Sequence, residues 1–241
     1  MTPTDRLRIE KAAADCGFEM TPVARDAGLQ LRSARFPETV LVQPLGEAEF
    51  RVLAPSTLLP DSADADGSAV VQGYDALYEV LKGAAACART MPNRVADAFR
   101  RETAHLPRAT EVERLTIERV GQGLYRTALL DYWQGRCAVT GLDVAPLLRA
   151  SHIKPWASCA SDDERLDVFN GLMLAPHVDA LFDGGWISFA DDGALLVSSA
   201  LSSSAATRLG VQGNWKVNSL KAAHKKYLAH HRQYVFQLRN C

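Results

Sequence analysis

The residues of this chain that could do chemistry gather in one stretch, 151–183, reading SHIKPWASCASDDERLDVFNGLMLAPHVDALFD. His152 closes an apolar run, a polar acidic loop follows, and Asn170 opens a helix-like segment carrying His177, Asp179 and Asp183. Hydrolysis of a phosphodiester needs a water made nucleophilic, charge stabilisation at phosphorus and stabilisation of the leaving oxygen. A histidine base, an amide at the hinge of a loop and ligands for one divalent ion on a helix would meet those needs in this order. Taken singly, each residue has a plainer role. A histidine beside Pro155 and Trp156 is usually structural, and an asparagine before Gly171 is usually a turn. Their joint order, with apolar runs on both sides, favours the chemical reading. Cys159 lies near His152 in sequence, but nothing around it points to a depressed thiol pKa.

The segments RCAVTG, SHIKPW, DVFNGLMLAP and ALFDGGWISF resemble the HNH endonucleases, a family with a ββα-metal fold, and within it the subgroup lacking zinc-binding cysteines. The resemblance covers about residues 125–199 and does not extend to 1–105. It implies that His152 is the general base and that Asn170 braces the loop bearing it, or approaches the metal. It places the metal on the helix face at His177 or Asp179, with Ser151 in a ligand's position, and makes Arg149 and Lys154 phosphate contacts. Asp183 is expected to cap or turn the helix end. Two departures stand out: many members have Asp where Ser151 stands, and only Cys137 lies near the place of the paired zinc cysteines. The first leaves Asp162, Asp163 and Asp167 as further ligand candidates. From the second, no structural zinc is expected, and packing takes its place.

The implied cofactor is one divalent ion, Mg2+ or Mn2+ where carboxylates dominate. Double-stranded DNA is the implied substrate, and a homodimer would let two single-site nucleases cut both strands. An N-terminal module ahead of such a domain resembles restriction enzymes that read modified or foreign DNA, which implies a defence role by analogy. Two rivals come from other classes: a DNA-binding module with a decayed nuclease site, and a dimerising interaction protein.

The elements that must position this stretch read as an α+β chain. A small N-terminal α+β domain, 1–105, expected to recognise or regulate, precedes a C-terminal ββα-metal nuclease domain with flanking helices, 106–241. In the first half, a helix is expected over 4–16, extended runs over 29–36, 39–44 and 50–53, an exposed acidic loop over 61–68, and helices over 73–89 and 94–105 separated by Pro92. Residues 106–110 form the expected linker. Thr110 with Glu113 makes a capping box for a long helix over 111–133, with an apolar stripe of Val112, Leu115, Val120, Leu124, Ala128 and Leu129. Arg126 and Tyr132 are expected on its wet side. A short strand and turn follow at 137–141, and a hairpin is expected around Asp191-Asp192-Gly193. The last helix, 219–238, is the most cationic stretch, read equally as the wet face of an amphipathic helix or as a phosphate-tracking surface.

Composition sets the outer limits. The chain of 241 residues carries a net charge of −1, so any nucleic-acid contact must use a local basic patch. Its five cysteines are scattered and odd in number, which fits reduced thiols and no disulfide framework. There is no apolar run of membrane-spanning length and no apolar core of a signal peptide near the start, so no membrane partner and a cytoplasmic location are expected.

Overall fold

The computed structural model of the protein describes residues 1–59, 64, 67–91, 93–107 and 109–236. Most of the acidic segment 61–68, Pro92, Arg108 of the linker, the expected last turn of the final helix and Cys241 lie outside the described residues. The chain divides into two compact units, Met1–Arg89 and Thr90–Cys241. This division differs from the expected boundary after residue 105, and the reason is packing: α3 (Arg94–Thr103) packs on α4 (Glu111–Tyr132) and so lies with the C-terminal unit. No helix among the described residues is long and apolar enough to cross a membrane.

The first unit holds α1 (Pro3–Cys16), a five-stranded antiparallel meander and α2 (Tyr74–Thr90). The strands β1 (Met20–Arg25), β2 (Gly28–Arg32), β3 (Val40–Gly46), β4 (Glu49–Leu53) and β5 (Ser68–Gln72) pair in sequence order. Alternation puts Leu29, Leu31, Val40, Val42, Phe50 and Val52 on the buried face. Tyr74 of α2 meets Phe50 at 5.0 Å, and the Cys16 thiol of α1 donates to the Tyr78 carbonyl. Pro22 sits in β1, an edge strand, where a missing N–H leaves no ladder bond unmade. Asp26 and Ala27 turn the first hairpin with positive φ, and Gly28 follows where a side chain would collide with the Val42 carbonyl.

In the second unit, α4 opens with the expected box: Thr110 Oγ1 accepts the Glu113 N–H, and the Glu113 carboxylate accepts the Thr110 N–H. Its apolar stripe is shifted from expectation. Val112 and Leu115 are exposed, whereas Tyr125, Ala128, Leu129 and Tyr132 are buried. After a turn at Cys137, where a strand had been expected, a short 3-10 turn Ala145–Leu147 leads into β6 (Arg149–His152). A second such turn (Trp156–Ser158), the short helix α5 (Asp162–Arg165) and a third turn (Val168–Asn170) make the loop back to β7 (Gly171–Leu174). Asn170 therefore stands just before a strand, and the helix starts only at Pro176, whose ring suits the first helical position: α6 (Pro176–Asp183). The hairpin β8 (Ile187–Phe189) and β9 (Leu195–Val197), α7 (Ser203–Arg208) and α8 (Ala222–Tyr234) complete the unit.

The β6–β7 pair is covered by α4 and α6, so β7 is buried at every residue and reads as the unbroken run Gly-Leu-Met-Leu. Gly171 is forced by that packing: a Cβ there would fall against the Tyr125 hydroxyl and both Leu129 methyls. Three polar side chains at the end of α4 and just beyond it bond carbonyls on or next to this pair. The Tyr125 hydroxyl donates to Asn170 O at 2.8 Å, Trp133 Nε1–H to Gly171 O at 3.2 Å, and Arg126 to Leu148 O at 2.7 Å and Ala145 O at 2.9 Å. Arg126 and Tyr132, expected on the wet side, thus belong to the packed face.

Candidate functional site

His152 is the last residue of β6, at the register position opposite Gly171. Its ring stacks on Tyr125 of α4 at 4.1 Å and meets Trp156 edge-on at 5.4 Å. Nε2 lies 2.8 Å from the Arg165 carbonyl. A carbonyl can only accept, so Nε2 carries the proton and Nδ1 carries the lone pair. Burial pushes the His152 pKa below the ordinary histidine value, against the opposing pull of the Arg165 carbonyl, so the ring is neutral at pH 7. Nδ1 makes no hydrogen bond among the described residues. A neutral imidazole held by one nitrogen, with a lone pair on the other, can take a proton.

The loop beyond His152 is pinned by Asn170, which is fully buried. Its Oδ1 accepts the Lys154 N–H at 2.7 Å, and its Nδ2 donates to the carbonyls of Lys154 and Glu164, both at 3.2 Å, and faces Cys159 Sγ at 3.4 Å. Its own carbonyl accepts from Ile153 N–H and the Tyr125 hydroxyl. One side chain thus ties both ends of the 154–164 loop to β7, and Arg165, which holds His152, follows that loop directly. The Cys159 thiol is pushed up by burial and serves this packing.

Successive side chains of a strand face opposite ways. His152 faces α4, and Ser151 faces α6, where its hydroxyl donates to Asp183 Oδ1 at 3.2 Å. Asp179, one turn earlier on α6, also feels the Ser151 hydroxyl and the charge of Arg149, which shares the Ser151 face of β6. Both carboxyls are pushed up, first by burial; for Asp183 the second cause is the Asp179 charge beside it. Two carboxylates one turn apart, the charge of Asp179 raising the Asp183 pKa, with the Ser151 hydroxyl beside both, make a hard-oxygen donor set. That set fits a Mg2+-like ion, which takes one or two carboxylates and completes its shell with water and phosphate oxygens. No cluster of three or more His, Cys, Asp or Glu side chains suited to a metal occurs among the described residues.

The other residues singled out in the sequence sort as follows. His177, two residues before Asp179 on α6, is exposed and packs on Trp215 at 5.7 Å, so it stands apart from the carboxylate pair. Lys154 is ion-paired with Glu164 at 2.7 Å, both largely shielded from solvent. Asp162 and Asp163 are taken up by Arg165 and Arg100, both at 3.1 Å. Asp167 is buried, capping Phe169 N–H and accepting from the Tyr227 hydroxyl at 2.8 Å. These three aspartates hold the loop and do not join the α6 pair. Asp183, expected only as a helix terminator, does join it; its four-residue spacing from Asp179 on one helix was the available signal. Arg165 and Tyr125, which fix the His152 ring, gave no sequence signal because each acts across a distance in the chain. Cys137 does not wait for a metal partner: its sulfur accepts the Thr140 and Ala175 N–H groups at 3.4 and 3.2 Å, tying the 137–141 turn to the start of α6.

Two antiparallel strands followed by a helix, with a histidine at the strand end and carboxylates on the helix, define a ββα hydrolase-type site. Residues 137–190 match the family model of the HNH endonucleases, so this part of the C-terminal unit is an HNH-family domain and, at family level, a nuclease domain. The match begins at the Cys137 turn and runs through β6, β7 and α6 into β8. Domains of this family generally use a divalent metal ion. No curated protein matches the chain.

Proposed function

We propose that the protein is a metal-dependent DNA endonuclease in which His152 Nδ1 is the general base. The observation that carries this reading is the ring's hydrogen bonding: the Arg165 carbonyl fixes the proton on Nε2, which leaves Nδ1 as the basic atom. A water beside Nδ1 gives up its proton as it attacks phosphorus, and the leaving oxygen departs on the opposite side. Asn170 acts as a positioning residue, since it fixes the loop that ends at Arg165 and thereby the angle of the imidazole. Asp179 and Asp183, with Ser151, are the residues that would hold the ion. When bound, a divalent cation there supplies charge stabilisation to the phosphate and the leaving oxygen. Arg149, exposed on the same strand face, is the phosphate contact this arrangement favours, and Lys154 serves the loop through Glu164.

The test is incubation of plasmid DNA and of modified phage DNA with Mg2+ or Mn2+, comparing the wild type with His152→Ala. Cutting by the wild type alone supports the assignment, and cutting confined to the modified DNA would add a restriction role. Unchanged cutting by the variant would sink the assigned base. Ser151 in place of a third carboxylate favours one rival, a DNA-binding domain without catalysis. That rival expects DNA retention with no Mn2+ uptake, which calorimetry would reveal.

A further inference from the structure

A cleft of about 350 Å³ opens between α3, α4 and the 156–165 segment, lined by Phe99, Ile117, Trp156, Arg114, Glu118 and Arg165. Two links tie it to His152. Trp156, one wall of the cleft, packs edge-on against the His152 ring at 5.4 Å. Arg165 accepts the His152 Nε2–H with its carbonyl and turns its guanidinium to the cleft. That guanidinium is held by Cys159 O at 2.8 Å and by Asp162 at 3.1 Å, with its carbon 5.9 Å from the Trp156 ring centre. At the back, Gly121 lets α4 come close: a Cβ there would lie 3.2 Å from Phe99 and 3.4 Å from Trp156.

The walls define what fits. A half-exposed indole beside a fixed guanidinium offers a flat face for stacking. Arg114 and Glu118 supply a donor and an acceptor on successive turns of α4, at the edge of whatever stacks there. Phosphate is a poor match, because Arg114 and Arg165 are balanced by Glu118 and by the Asp162 carboxylate at the same cleft. A planar heterocycle with donors and acceptors around its rim is the better match, and a phosphate presented to His152 necessarily carries such a ring on each neighbouring nucleotide.

We propose that this cleft receives the base of a nucleotide flanking the phosphate that His152 attacks, stacking it on Trp156 and reading its edge with Arg114 and Glu118. The inference rests on the nuclease reading of His152, so its test separates the two. Short single-stranded oligonucleotides, intact or with one abasic nucleotide on either side of the central phosphate, are titrated in EDTA against the wild type, Ile117→Trp and Glu118→Gln. Ile117→Trp fills the cleft without touching His152, and Glu118→Gln changes only the edge. The wild type should bind the intact oligonucleotide at least about fivefold more tightly than one of the two abasic forms. Ile117→Trp should erase that difference, and Glu118→Gln should change which base is preferred while melting like the wild type. With Mg2+ present, the wild type should cut the abasic oligonucleotide, which reads the His152 chemistry apart from the cleft. Base preference without cutting would uphold the cleft and remove the nuclease reading. Equal binding of intact and abasic forms by the wild type, or a preference that survives both substitutions, would overturn the cleft.

Discussion

In the β8–β9 hairpin, Ser188 and His231 of α8 meet in the dry interior: the serine hydroxyl faces His231 Nδ1 at 2.9 Å, and Nε2 donates to Phe182 O at 3.1 Å. The ring stacks flat on Phe182 at 3.9 Å, and both nitrogens are used. In the β6–β7 hairpin the same residue types are arranged differently. Ser151 turns to Asp183 on one face, and His152 on the other face spends one nitrogen on Arg165 and keeps the second. A histidine with both nitrogens engaged is a closed part of the core; one held at a single nitrogen is aimed and still chemically available. Burial alone does not separate the two, since both rings are largely shielded. The accounting of each nitrogen does.

The largest expected effect breaks this comparison at its centre. His152→Ala should lower DNA cleavage by about 10²–10⁴-fold, the range of a general base, with binding of uncleaved DNA in EDTA little changed. His231→Ala should act through stability: a depressed Tm, with cleavage at low temperature retained in the folded fraction. Equal loss of cleavage in both variants at matched folded fraction would mean that the free nitrogen of His152 does not distinguish it.

The two buried histidines of α8 make the second prediction. His231 and His224 are both pushed down to about 4, first by burial. A folded pKa below the ordinary 6.5 means that the unfolded chain takes up protons first as pH falls. Stability from these rings is therefore fully present above about pH 6.5 and is lost between pH 6.5 and 4, on the order of 3 kcal/mol for each. The raised carboxyls of Asp167, Asp179 and Asp183 work in the opposite sense, since their cost at neutral pH is relieved as pH falls through their raised values. The net expectation is a Tm that falls from pH 6.5 to 5. His224 is the cleaner probe: Nδ1 accepts the Lys221 N–H at 3.0 Å, while its buried Nε2 has no hydrogen-bond partner among the described residues and the ring lies among Tyr132, Trp133 and Phe169. His224→Phe should flatten the acid-side slope of Tm against pH.

A third experiment addresses the other face of β6. Mn2+ at about a hundred times its Kd should stabilise the folded protein by about 2.7 kcal/mol, read as a rise in Tm. Asp179→Asn or Asp183→Asn should remove that rise, whereas His177→Ala, on the Trp215 side, should keep it. A rise that persists in both asparagine variants and vanishes in His177→Ala would return the ion to the histidine.

How much of this could be read from residues alone depends on the range of the interaction. The Thr110–Glu113 box and the turn at Asp192-Gly193 are local and legible in the sequence. Gly-Leu-Met-Leu reads as part of a helix-like segment because a short run buried on both faces has no period to distinguish strand from helix. Membership of α3 in the C-terminal unit is a packing fact with no marker at the expected boundary after residue 105. The same holds for the cationic final helix: His224 and His231 turn inward, and Arg232 is spent on Phe189 O and Asp191 at 2.8 and 2.7 Å. Charge counted along a sequence says little about which side chains remain free.

Tyr125 gives the smallest and most discriminating change. Its hydroxyl donates to Asn170 O, and its ring lies 4.1 Å from His152, so one residue links the brace to the base. Burial raises its phenol well above the usual range, so it stays protonated as a donor. Tyr125→Phe keeps the stacked ring and removes only the hydroxyl. Asn170 O retains its bond from Ile153 N–H, so no buried acceptor is stripped bare, and the cost should be about 1 kcal/mol in chemical denaturation. If Asn170 positions His152 only through its side-chain bonds to the loop, kcat should stay within about twofold at that cost. A tenfold fall in kcat with an unchanged KM and a shifted pH profile would show that the Asn170 backbone is part of the aiming device.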